Sequence, residues 1–308
     1  MPLPASLRED LLWWKAVLKN KSQRNYIRSG RFDIEIFSDA SLTGWGAASG
    51  GARTHGFWSP EDKQHHINYL ELLATFHALR CFASHLQGSN ILLRVDNSTA
   101  LSYINRMGSV KFPILSELAR KIWYWCAKRD IFIYALYISS VQNIEADTES
   151  RVVSEETEWA LGQEYFDRIN CYFGRFDIDL FATSINSKCQ RFVSWHPDPL
   201  AQAVDAFSLN WSTFYFYAFS PFILIFKVLR KIITDKAEGV VVVPWWPAQP
   251  WFPLFNQLIV NQPIQFEPDI NMLSSPFRDV HPAWNRISLV AAKLSGKSFC
   301  SRGHRSQH

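Results

Sequence analysis

The hydrophobic rhythm of the chain changes repeatedly after Phe32, and each change predicts a new element. Phe32, Ile34 and Ile36 alternate with Asp33 and Glu35, the two-residue period of a half-buried strand, and the run stops at Ser38-Asp39. Residues 44–49 and 52–58 read as two further short strands joined at Gly50-Gly51 by a hairpin turn. Over 67–85 the period becomes helical, with Leu70, Leu73, Ala74, His77 and Leu79 at helical spacing. A β-rich run at 90–95 then ends on Asp96, helices follow at 98–106 and 114–129, and 131–138 reads as a fifth strand. A hairpin set followed by alternating helices and strands predicts a mixed sheet with helices on its faces.

Ahead of this block, residues 6–19 read as a helix and 20–31 as a basic connection. Behind it, 152–164 is charge-rich and reads as a linker helix. Strands at 176–181, 213–219 and 239–243, with helices at 221–235 and near 251–260, predict a second, smaller α/β unit. The run 206–226 carries no charge and has the length of a membrane span, but Asn210, Ser212 and Thr213 dilute it and Ser220-Pro221 divides it. A buried strand followed by a helix accounts for it better, so no membrane partner is expected. From 261 onward Pro, Ser and Asn accumulate and no acid follows Asp279, which predicts a basic tail, 261–308, poorly ordered over much of its length.

Composition narrows the class. With 47% apolar and 19% charged residues among 308, the chain has the make-up of a folded protein large enough for two domains. Five cysteines without C-x-x-C spacing suggest neither a disulfide framework nor a zinc site. Arg8, Glu9 and Asp10 precede an apolar run too short for a signal peptide, so an intracellular setting, cytoplasm or nucleus, is expected. The net charge of +4 is concentrated near the start, where Met1 to Arg31 holds seven basic residues against two acids. Such a segment suits a phosphate backbone, and equally a solvated helix face. His65-His66 has no matching Cys or carboxylate spacing and reads as a loop or helix cap. The thirteen tryptophans read mostly as core.

Four acids stand at the ends of predicted elements: Asp39 after the first strand, Glu71 in the first turn of its helix, Asp96 after the fourth strand and Asp147 before a helix. If the first and fourth strands are parallel neighbours, Asp39 and Asp96 meet, and Glu71 reaches them from across the sheet. Carboxylates so close repel one another unless cations neutralise them, and oxygen-only ligands suit Mg²⁺ or Mn²⁺.

The stretches FSDASLTGWGA, YLELLATFHAL, RVDNSTAL and NIEADTESR resemble the four acidic motifs of the ribonuclease H fold, in the right order and on the expected elements, over residues 32–151. The resemblance implies a ribonuclease H-like mixed five-stranded sheet with flanking helices. It also implies two-metal hydrolysis of RNA in an RNA–DNA hybrid. Asp39 would bridge both Mg²⁺ (or Mn²⁺) ions, Glu71 and Asp96 would hold one, and Asp147 the other. Ser41 and Asn97 would contact substrate; each reads equally as a turn residue capping local backbone. Many members of that family carry a histidine ten residues before the last aspartate, where this chain has Tyr137.

The wording resembles more closely still the ribonuclease H region of DIRS-type retrotransposon polyproteins, including LLWWKAVLKNKSQRNYIRSGRF and ARKIWYWCAKRDIFIYALYISS. No Tyr-x-Asp-Asp polymerase motif is present, so the chain resembles a polyprotein piece whose reverse transcriptase would be supplied separately. FGRFDIDLFATSINSKCQRF, DAFSLNW, FYFYAFSPF and GVVVVPWWPAQPWF resemble the DAM-like adenine methyltransferase region of those elements, over 165–260. The catalytic tetrad of that class is Asp/Asn-Pro-Pro-Tyr/Phe, and Phe219-Ser220-Pro221-Phe222 occupies its place. Phe219 cannot accept a hydrogen bond from an amine, and no Gly-rich loop is present, so a methyltransferase-like fold without methyl transfer is expected. Asp179 then reads as a structural acid. A metal-dependent ribonuclease H is thus the leading expectation, a non-catalytic nucleic-acid-binding or scaffold remnant its rival, and a DNA adenine methyltransferase the third.

Overall fold

In the computed structural model, residues 7–19, 30–152, 159–275 and 280–297 are described, and they form two five-stranded sheets with separate cores, together with two small two-stranded sheets in the second unit. Helix α1 (Leu7–Lys19) comes first. The first unit then runs β1 (Ile34–Ala40), β2 (Gly44–Ser49), β3 (Ala52–Phe57), α2 (Ile67–Ala83), β4 (Asn90–Val95), α3 (Ser98–Asn105), α4 (Pro113–Ala127), β5 (Phe132–Tyr137) and α5 (Ile144–Ser150). This is the element order expected from the hydrophobic pattern. Gly50 and Gly51 both adopt positive φ, 56° and 82°, which is why two glycines make the turn between β2 and β3.

The five strands lie in the order β3-β2-β1-β4-β5. β1, β2 and β3 form an antiparallel meander, while β4 and β5 run parallel to β1. One face of the sheet buries Ile36, Ile91, Leu93 and Ile133 against Leu70, Ala74, Leu115 and Ile122 of the helices. α2 is apolar on more than one side, because it lies between the sheet and α4.

The second unit contains β6 (Ala160–Leu161), α6 (Gln163–Phe173), β7 (Ile178–Asp179), β8 (Val193–Ser194), β9 (Ala203–Val204), β10 (Tyr215–Ala218), α7 (Ile225–Asp235), β11 (Glu238–Pro244), α8 (Phe252–Leu258), β12 (Ile264–Phe266), β13 (Leu273–Ser274) and β14 (Leu289–Ser295). The uncharged run 206–226 resolves into β10 and the start of α7. Among the described residues, no helix is long and apolar enough to cross a membrane.

Two expectations fail here. Ala160-Leu161 is a strand paired with β13, and the helix begins only at Gln163, so 152–164 is not one linker helix; residues 153–158 lie outside the described part. More consequentially, the region assigned to a basic tail supplies β12, β13 and β14. The main sheet of this unit has the order β12-β14-β11-β10-β7, with β14 antiparallel to β11 along its whole length. Leu289, Val290, Ala291 and Ala292 are at most 1% exposed, so burial of this strand outweighs the polar composition around it. Residues 276–279 and 298–308 lie outside the described part.

Candidate metal centre

β1 carries its acid into the site by alternation: Ile36 faces the helices, and the strand becomes buried on both faces from Ser38 to Ala40. β1 and β4 are parallel and pair Phe37 with Arg94, so extending that register by two places sets Asp96 beside Asp39. α2 starts at Ile67 behind His66, whose ring nitrogen accepts the Asn68 N–H, the cap role expected of this histidine. Glu71 therefore lies in the second turn of α2, one turn deeper than its expected position. Asp39, Glu71 and Asp96 each bring a carboxylate oxygen within 4.8 Å of the others. Asp39 and Glu71 are only 4% and 6% exposed, while Asp96 is half-buried.

Their hydrogen-bond donors are neutral. The Ser150 hydroxyl donates to Asp39 at 2.7 Å, the Ser140 hydroxyl to Asp96 at 2.7 Å, and the Ala40 backbone N–H to Glu71. Burial dominates the electrostatics: it raises Asp39 to about 6 against the opposing Ser150 bond, and the charges of Asp96 and Asp147 add to the rise. Glu71 is pushed to about 9, by burial first and then by the charges of Asp39 and Asp96. A site that holds two buried acids in this way favours a cation between them.

The other expected residues sit differently. Asp147 lies on α5, outside the cluster of three, and accepts two hydrogen bonds from Arg151 at 2.7 and 3.0 Å. Its charge still reaches Asp39. Ser41 donates to the Ser150 carbonyl at 2.7 Å and accepts the Gly44 N–H, closing the turn between β1 and β2. Asn97 caps α3 by accepting the Ala100 N–H at 2.9 Å, and its amide donates to Asn68. Each thus caps local backbone, as polar turn residues commonly do, and also bonds a distant element: Ser41 the end of α5, Asn97 the start of α2. Tyr137, at the position of the family's histidine, is 58% exposed. Trp123 and Trp125 are partly buried against the core, and the Trp123 indole donates to the Ile104 carbonyl.

Sequence reasoning missed the residues that fix α5. Ser150 binds both Asp39 and the Asp147 carbonyl, and its position three residues after Asp147 was the only local signal. Asn143, 1% exposed, donates to the Ser38 carbonyl and ties the start of α5 to β1. Gly46 lets the helix approach: a Cβ there would lie 2.2 Å from the Ala146 carbonyl oxygen and 2.3 Å from the Ser150 nitrogen.

The donor set fits a hard divalent cation: three convergent carboxylates and no soft ligand. The raised acids also set a sign for stability. Below about pH 4 both folded and unfolded chains hold these protons, so neither group contributes. Between there and about pH 6 for Asp39, and about pH 9 for Glu71, the folded chain retains protons that the unfolded chain has lost. Metal-free stability should therefore fall as pH rises through this window, by an amount on the order of a few kcal/mol. Added Mg²⁺ or Mn²⁺ should restore it, with a larger gain at pH 8 than at pH 5. Thermal unfolding at both pH values, with and without metal, checks this, and a metal gain independent of pH would contradict it.

In the second unit, Asp179 is 2% exposed and its oxygens accept the backbone N–H groups of Phe181 and Lys188. It behaves as a structural acid, raised to about 6 by burial. Phe219-Ser220-Pro221-Phe222 follows directly on β10. A shallow recess lined by Trp159, Asp179, Phe181, Lys188, Tyr217 and Phe219 lies beside it.

No protein-family model matches this chain, and no curated protein matches it. Solved structures give weak, partial matches. Ribonuclease H1 from the halophilic archaeon Halobacterium salinarum is 19% identical, covering 38% of this chain and 92% of its own, with a TM-score of 0.32. LC11 ribonuclease H1 in complex with an RNA/DNA hybrid is 20% identical, covering 38% and 93%, with a TM-score of 0.33. The foamy viral protease–reverse transcriptase, also in complex with an RNA/DNA hybrid, is 12% identical and covers 48% of this chain but 27% of its own, with a TM-score of 0.26.

Proposed function

We propose that residues 32–151 are a metal-dependent ribonuclease H that cleaves the RNA strand of RNA–DNA hybrids endonucleolytically. The observation that carries this reading is the convergence of Asp39, Glu71 and Asp96 at the open end of two parallel strands, with two of them nearly buried. Asp39, Glu71 and Asp96 would hold one divalent ion, and Asp147 with Asp39 a second. Mg²⁺ or Mn²⁺ bound there supplies an activated water and neutralises charge on the leaving oxygen. The chain's own work is to hold the acids against their repulsion. Ser150 and the Ala40 N–H orient Asp39 and Glu71, Ser140 orients Asp96, and Arg151 hydrogen-bonds Asp147.

The stretches LLWWKAVLKNKSQRNYIRSGRF and ARKIWYWCAKRDIFIYALYISS further support an origin in a retroelement polyprotein, with a reverse transcriptase as a separately supplied partner. The second unit, on this reading, descends from a methyltransferase and transfers no methyl group, because the Phe219 side chain offers no acceptor where the tetrad needs one. The deciding experiment is cleavage of a labelled RNA–DNA hybrid by the purified chain with Mg²⁺ or Mn²⁺, alongside double-stranded DNA. Hybrid-specific, metal-dependent cleavage is expected. Folded protein inactive with either ion would leave a non-catalytic binding remnant.

A further inference from the structure

An edge strand normally leaves its backbone open to solvent, yet Thr54 on the edge strand β3 is 1% exposed. The second unit reaches it. The Pro197 carbonyl, in the connection between β8 and β9, accepts the Thr54 hydroxyl and, at 3.5 Å, the Cys81 thiol of α2. One carbonyl thus takes donors from two elements of the first unit. Asp198, the next residue, attracts Arg80 of α2.

The contact continues inward. The His196 ring lies 5.7 Å from the His55 ring on β3, and His55 Nδ1 is 2.7 Å from Glu149 Oε2 on α5. Both partners of that pair are shielded, at 22% and 16% side-chain exposure, whereas the Arg53–Glu145 pair at the other end of α5 is about half exposed. A shielded pair is screened less by solvent and salt. Glu149 is the neighbour of Ser150, which holds Asp39, and lies two residues from Asp147.

We propose that the 195–198 segment of the second unit is a positioning element for α5, acting through His55 and Glu149, so that the carboxylate site of the first unit is completed by the second. The importance of α5 rests on the ribonuclease reading above; the mechanical link does not. His196 touches none of the three clustered acids and acts on them through His55, Glu149 and Ser150. In the proposed arrangement, removing the His196 ring opens His55 to solvent and frees it from Glu149, loosening α5 where Ser150 meets Asp39.

The test uses the full chain and begins without metal. Amide hydrogen exchange across residues 144–151 should quicken about five- to tenfold in H196A, while exchange in β4 and β5 stays unchanged. H55A should show the same rise, and the H55A/H196A double variant no more than H55A alone, because the two act in one line. T54V, which removes the Pro197 contact from a different atom, should shift the same residues in the same direction. If H196A does not fold, H196Q gives the comparison with a polar side chain retained. With metal, the half-saturating Mg²⁺ concentration for hybrid cleavage should rise about threefold or more while the hybrid KM holds. Unchanged exchange at 144–151, or a rise spread equally over β4 and β5, overturns the proposal. An inactive unaltered chain refutes the ribonuclease reading instead, and leaves the exchange result to decide the link.

Discussion

Asp39→Asn should lower metal-dependent hybrid cleavage by about 10³-fold while making the metal-free protein harder to unfold. The two effects have one cause. Burial and the neighbouring acids raise Asp39 to about 6, so at pH 8 the folded chain without metal carries a charge it would rather shed. The amide removes that charge and can still meet the Ser150 hydroxyl, which is able to donate to its oxygen. A gain on the order of 1–3 kcal/mol at pH 8 is expected, shrinking as pH falls below about 6, where the native acid takes up its proton, and gone near pH 4. Glu71→Gln should behave alike, with the larger stabilisation, because Glu71 is pushed further, to about 9. Cleavage assays and thermal unfolding on the same preparations check both halves. A structural acid gives the opposite pattern, lower stability with activity largely kept, and that outcome would sink the metal-site reading.

Gly46→Ala should cost about 3 kcal/mol or more and remove cleavage as well. β2 pairs Gly46 with Asp39, and α5 crosses directly over this glycine. A methyl group there meets backbone on both sides, the Ala146 carbonyl and the Ser150 amide, neither of which can rotate away as a side chain could. The helix must lift, and Ser150 leaves Asp39 with it. Denaturant unfolding followed by circular dichroism gives the stability change. A midpoint within experimental error of the unaltered chain would show that α5 is not seated on β2.

Much of the first unit was legible because its information is local. The alternation at Ile34 and Ile36, the helical spacing from Leu70, and acids placed at element ends each follow from the periods of strand and helix. Asp39, Glu71 and Asp96 could be brought together on the single assumption that β1 and β4 are parallel, and they are. The position of Asp147 was not legible, because its pairing with Arg151 competes with the cluster and depends on how α5 seats on Gly46. Nor was β14: its alanines and Lys293 look unremarkable until Glu238 pairs with that lysine and β11 lies along the strand. The hold of His196 on β3 crosses some 140 positions of sequence, where no local pattern can announce it.

The placement of β14 also sets an order of events during synthesis. All the strands of the first sheet have emerged once residue 137 has left the ribosome, and its α5 follows by residue 150. The second sheet has to wait. β7, β10 and β11 appear in succession, but the outer edge of β11, with four consecutive valines, has no partner until residues 289–295 arrive some fifty positions later. For that interval the nascent chain presents an apolar, unpaired strand edge, the feature most prone to join another chain. A completed first unit with Thr54 and His55 already on its rim would give the 195–198 segment a surface to dock on during that wait.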